Sequence, residues 1–123
     1  MTNRAPRSLR NSESFKQYVL DQLEGLNVTA RSMFGGCGLY STGGFFGIIA
    51  SDVLYLKVDE TNRGDYERAG MKPFKPYPDR SGTMSYYAVP VSVLESQPEL
   101  ENWARAAIRV AARSPSTTRK GRR

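Results

Sequence analysis

Arg31-Ser32-Met33-Phe34-Gly35-Gly36-Cys37-Gly38-Leu39-Tyr40, Ser41-Thr42-Gly43-Gly44, Phe45-Phe46-Gly47-Ile48-Ile49-Ala50, Ser51-Asp52, Val53-Leu54-Tyr55-Leu56-Lys57-Val58: the reading of this run decides the fold. Aromatic and β-branched segments alternate with Gly, Ser, Thr and Asp, the pattern of strands joined by tight turns. Thr42-Gly43-Gly44 and Ser51-Asp52 stand where hairpin turns belong, so the run predicts a three-stranded antiparallel meander. In its last strand Leu54, Leu56 and Val58 share one face and Val53, Tyr55 and Lys57 the other. Gly35, Gly36 and Gly38 surround Met33, Phe34 and Cys37 and lower the first strand's propensity. Glycine inside a strand marks a bulge or a close approach of another backbone. The expectation is a bent first strand against which a helix or a partner chain can lie. The alternative, a ligand cradle, lacks the helix N-terminus and lysine that a phosphate loop uses.

Around this run the chain reads as helices. Asn11 or Ser12 can cap a helix of about 13–25, with Phe15, Tyr18, Val19, Leu23 and Leu26 on one stripe and Gly25 as a stop. Asp59-Glu60-Thr61 opens a short helix, its acids favoured by the dipole there, and Gly70 ends it. Three prolines between Lys72 and Pro78 exclude regular helix, and Phe74 and Tyr77 are expected to pin that segment to the body. Asp79 to Gly82 reads as a turn. Thr83 to Val89 reads as a strand, with Met84, Tyr86 and Ala88 on one face; Pro90 ends it. Ser96-Gln97-Pro98-Glu99 has the capping-box form. Leu100, Trp103, Ala104, Ala107, Ile108 and Ala111 then make an apolar stripe on a helix of about 97–112, and Trp103 and Leu100 are expected to be buried against the sheet beside Phe15 or Leu23. The order α-β-β-β-α-β(β)-α, with one or two strands after the second helix, predicts an α+β two-layer domain with helices packed on an antiparallel sheet.

Composition excludes much chemistry. The 123 residues suit one domain, and 39% hydrophobic content suffices for a core. No stretch reaches the length of a membrane helix, and the N-terminus lacks a signal peptide's apolar segment. A single cysteine makes no internal disulfide, which fits a cytoplasmic protein. With no histidine, the commonest general base and metal ligand is absent, and zinc sites of the usual kinds are excluded. No cofactor or metal is expected, and no enzyme. The net charge of +6 sits in the ends. Arg4, Arg7 and Arg10 precede the first acid, and from Arg113 onward Arg113, Arg119, Lys120, Arg122 and Arg123 stand with no acid among them. Residues 1–12 and 113–123 therefore read as disordered basic tails flanking a slightly acidic domain of 13–112.

Several stretches resemble, in order, the TfoX (Sxy) N-terminal domain family: Arg31-Ser32-Met33-Phe34-Gly35-Gly36, Gly38-Leu39-Tyr40, Leu54-Tyr55-Leu56-Lys57, Asp59-Glu60-Thr61-Asn62, Gly70 with Pro73-Phe74, Met84-Ser85-Tyr86-Tyr87, Pro90 and Trp103-Ala104. The resemblance runs from about Glu13 to Ala112. It implies a stand-alone member of that family, a fold similar to secretion chaperones, and kinship with bacterial regulators of competence genes.

The expected function is a non-enzymatic regulatory domain that acts through an unidentified protein partner. Arg31, Phe34, Gly35, Gly36, Cys37, Tyr40, Lys57 and Arg63 form the expected interaction surface, with Arg31, Lys57 and Arg63 able to converge on an anion. The tail cations add weak, sequence-independent affinity for nucleic acid. A lone Cys37 reads as a buried thiol, and Asp59 and Glu60 as helix caps rather than an acid–base pair. Tyr40, Tyr55, Tyr86 and Tyr87 fall on strands, where core or dimer packing accounts for them. Two alternatives stand: direct DNA or RNA binding through the tyrosine-bearing sheet, and a small-molecule pocket at the glycine bend. A homodimer is expected from strand edges that need cover.

Overall fold

The computed structural model describes residues 10–33, 35–74 and 85–113. The elements are α1 (Glu13–Gln22), β1 (Thr29–Met33), β2 (Gly36–Ser41), β3 (Gly44–Ala50), β4 (Val53–Lys57), α2 (Arg63–Arg68), β5 (Tyr86–Ala88), α3 (Val91–Leu94) and α4 (Gln97–Arg113). The five strands form one antiparallel sheet in sequence order, β1-β2-β3-β4-β5. The α+β two-layer expectation holds.

The first strand of the expected meander is in fact two. Met33 pairs with Gly36, so the chain reverses between them, with Gly35 in the turn. Gly35 has φ +82, a conformation that costs glycine nothing. The glycines thus mark a reversal of the chain, not a bend. The bulge lies one strand later. Leu39 pairs with Gly47 and Tyr40 with Phe45, leaving Phe46 extra. That extra residue shifts the alternation, so Phe46 joins Leu39 and Ile49 on one face while Phe45 turns with Tyr40 to the other. The β3–β4 turn does fall at Ser51 and Asp52, with φ +52 and +60, both positive as a type I′ hairpin requires.

Ser12 caps α1, its hydroxyl accepting from the Phe15 N–H at 3.1 Å. Asn11 holds the β3–β4 turn: its amide donates to the Ile49 carbonyl, and its carbonyl accepts from the Asp52 N–H. The folded body therefore begins before the expected boundary at residue 13. α1 gives way at Leu23 to a single 3₁₀ turn over Glu24–Leu26, and the left-handed residue that ends it is Asn27, not Gly25. Between β4 and α2, the expected helix start is a turn. Asp59 accepts from the Thr61 N–H, and buried Asn62 bridges the Asp59 N–H and the Lys57 carbonyl. Gly70 follows α2 with φ +75. Phe74 is pinned as expected, its N–H donating to the Tyr86 carbonyl at 2.7 Å. Tyr77, the turn at 79–82, Thr83 and Met84 lie outside the described residues.

All four helices lie on one face of the sheet. There Val19, Leu23, Leu39, Phe46, Ile49, Leu54, Leu56, Tyr66, Val93 and Leu100 make the main core. Leu100 is fully buried, while Trp103 is half-buried against Tyr66. Val110, outside the stripe read from sequence, is also buried.

Candidate functional site

The other sheet face has a core of its own, and none of its residues is helical. Ile48, Ala50, Phe74 and Tyr86 are buried there, with Phe45 and Tyr55 packed against them. Register places the side chains. Arg31 pairs with Gly38, Gly38 with Ile48, and Ile48 with Tyr55, so all four share this face. The next row carries Tyr40 opposite Phe45, and Lys57 opposite Tyr86.

These side chains join into one strip that draws on every strand. The Arg31 guanidinium carbon lies 5.5 Å from the Tyr40 ring centre. Tyr40 and Phe45 are 5.1 Å apart between ring centres, and Phe45 and Tyr86 5.4 Å. At the far end the Lys57 ammonium lies 5.8 Å from the Tyr86 ring. Both cations are at cation–π distance, where the ring quadrupole attracts them. Tyr55 and Phe74 make a second pair at 4.7 Å. Gly38 makes the strip possible: a Cβ there would fall 2.7 Å from the Met33 sulfur and 3.0 Å from a Phe45 ring carbon. The space over Gly38 is thus filled by the chain's own Met33 and Phe45.

Tyr86 is only 5% exposed, and burial, then Tyr40, pushes its phenol well above the usual tyrosine range. Tyr40 and Phe45 are half-buried and Arg31 is exposed. The face therefore presents half-buried rings beside two positive charges.

The expected surface residues do not all gather here. Arg31, Tyr40 and Lys57 do. Gly35 is an exposed turn residue and Gly36 is buried in the β1–β2 hairpin. Phe34 lies outside the described residues. Cys37 pairs with Ser32 and Ile49 on the helix side and is 3% exposed, and burial pushes its thiol up. Arg63 begins α2, off the sheet. Arg31 and Lys57 are three strands apart, roughly 14 Å at ordinary strand spacing. The three cations therefore do not meet on one anion. Phe45 and Phe74 were missing from the expected surface; their signal was the shared face with Tyr40 and Tyr86, readable only once the bulge is placed.

Of the expected tail cations, Arg113 is the last residue of α4, and its guanidinium pairs with Asp59 at 3.2 Å and Thr61 at 2.9 Å. Arg10 is described and exposed, just ahead of Asn11. Arg4, Arg7, Arg119, Lys120, Arg122 and Arg123 lie outside the described residues. Hydrogen bonds from Thr61, with Arg113 assisting, hold the Asp59 carboxyl below its usual range. Among the described residues no three His, Cys, Asp or Glu side chains cluster as metal ligands, and no helix is long and apolar enough to cross a membrane.

Residues 20–111, well over half of the chain, match the family model of the TfoX N-terminal domain. No curated protein matches the chain.

Proposed function

This chain belongs to the TfoX N-terminal domain family, and on that footing we propose that it is a non-enzymatic, cytoplasmic regulatory module that works by docking a protein partner on the sheet face that carries no helix among the described residues. The observation that supports this is the Arg31–Tyr40–Phe45–Tyr86–Lys57 strip. Aromatic residues and arginine concentrate at the centres of protein interfaces, where they bring large contact area and oriented charge. A partner segment with an acidic group near each end and apolar side chains between would match it. The same strip argues against base stacking as the main mode: Tyr86 has almost no free ring face, leaving too few platforms for a run of bases. The family relationship makes a role in competence or transcriptional control the natural setting. The arginines and lysine outside the described residues add non-specific attraction to nucleic acid.

The test uses the tagged protein as bait in a lysate of the source cell. A partner held by wild type should be lost at least tenfold from Arg31→Glu and from Lys57→Glu, and kept by Glu67→Lys, an exposed reversal on α2. Binding of single-stranded DNA should fall steeply with salt and largely vanish on trimming to residues 10–113. If the reversals keep every partner while the trimmed chain binds DNA with sequence preference, the sheet reads nucleic acid and this proposal fails.

A further inference from the structure

Away from the strip, a cleft of about 380 Å³ opens between the turn after α1, the β2–β3 turn and α4. Asn27, Ser41, Thr42, Arg105, Ile108 and Arg109 are among the residues lining it, and none of the lining residues is acidic. Arg105 and Arg109 stand one helical turn apart. Like charges at this spacing oppose each other and destabilise a helix. Glu101 offsets that repulsion on one side only: it pairs with Arg105 at 3.8 Å, its carboxylate resting beside Gly25 at the cleft's edge, while Arg109 has no ion pair among the described residues. The helix dipole does not account for the pair either, because its pull on cations is confined to the last turn, where Arg113 already sits.

The frame opposite the arginines is fixed. A Cβ on Gly43 would lie 3.0 Å from the Ile108 carbonyl oxygen and 3.3 Å from the Ala112 Cβ, so the β2–β3 turn rests directly on α4. The Gly43 N–H donates to the Ser41 hydroxyl oxygen at 3.3 Å, which leaves the Ser41 hydroxyl proton to donate elsewhere. Ser41, Thr42 and the two guanidiniums supply donors around a space of small-ligand size, and Leu26 and Ile108 supply an apolar wall.

We propose that this cleft binds a small phosphate monoester. The two guanidiniums would fork onto its oxygens, the Ser41 and Thr42 hydroxyls would complete the shell, and the organic part would lie against Leu26 and Ile108. Arginine forks match phosphate geometry, and such charge-assisted bonds are the strong ones. The site stands independently of the sheet face.

The experiment is a titration of the full chain with phenyl phosphate, inorganic phosphate and acetate at matched ionic strength, followed by amide NMR shifts. Saturable shifts are expected at Asn27, Thr42, Gly43 and Arg109, tighter with phenyl phosphate than with inorganic phosphate. The double variant Arg105→Gln/Arg109→Gln should weaken binding at least tenfold, and Thr42→Val should weaken it in an otherwise intact spectrum. Equal shifts with acetate, shifts confined to the chain ends, or unchanged binding by both variants would overturn the proposal.

Discussion

Tyr66→Phe should make this protein more stable. Tyr66 is 1% exposed, wedged between Trp103 at 4.7 Å, edge-on, and Tyr87 at 5.8 Å between ring centres. Its hydroxyl has no hydrogen-bond partner among the described residues. A buried polar group left unpaired costs about 1–3 kcal/mol of desolvation that nothing returns. Burial, and after it the adjacent Asp65, also drives the phenol well above its usual range, so it stays neutral at any working pH. Phenylalanine keeps the ring and both aromatic contacts. It leaves only the void of one oxygen, worth about 0.3 kcal/mol at the usual cavity cost. The balance favours the variant by about 1 kcal/mol, or about 3–5 °C in melting temperature for a domain of this size. Urea unfolding followed by circular dichroism would read it as a higher midpoint at unchanged slope. Tyr66→Ala is the packing control and should lose about 3–5 kcal/mol. If Tyr66→Phe were instead destabilised by about 1 kcal/mol, the hydroxyl would have to be satisfied, and the desolvation reasoning would be wrong.

Two further outcomes follow from titratable groups. Asp59, held below its usual range chiefly by Thr61, contributes stability that is present above the ordinary carboxylate pKa and is lost as pH falls through its lower folded value. Wild type should therefore lose more stability than Asp59→Asn between about pH 5 and pH 3, by a modest amount because the pair is largely solvated; parallel acid unfolding curves would count against the contact. Cys37, buried and raised in pKa, should react with a thiol reagent far more slowly in the native protein than in denaturant at pH 8; equal rates would reopen a redox role.

Local patterning carried most of the fold into view because it depends on neighbours in sequence. Alternation put Tyr86 and Ala88 on one face of β5, and helical spacing put Leu100, Ala104, Ala107 and Ala111 on the buried stripe of α4. The β1–β2 hairpin escaped because glycine serves both a bulge and a turn. Met33 to Leu39 holds no charged or strongly polar residue to tell them apart, and only the Met33–Gly36 pairing does. The bulge at Phe46 left no trace in the sequence: Phe45 and Phe46 would face opposite sides in a regular strand as well, and only the pairing of Tyr40 with Phe45 beside Leu39 with Gly47 reveals which face each takes.

The sites were less legible than the fold, for a reason of register. Tyr40, Phe45 and Tyr86 meet only because Phe46 is extruded between β2 and β3: without that extra residue, Tyr40 would oppose Phe46, and the Phe45 ring would no longer bridge to Tyr86. The strip therefore depends on one local irregularity, and a one-residue slip would exchange its members with the helix-side core. Arg105 and Arg109 escaped for a different reason. On α4 they occupy the face left over from the apolar stripe, and solvated charge is the ordinary reading of such a face. What distinguishes them is the β2–β3 turn seated on the Ile108 backbone, a contact between residues more than 60 positions apart. Sequence shows that Gly43 is small; only the packed chain shows that its smallness brings Ser41 and Thr42 to the rim of the cleft that the two arginines share.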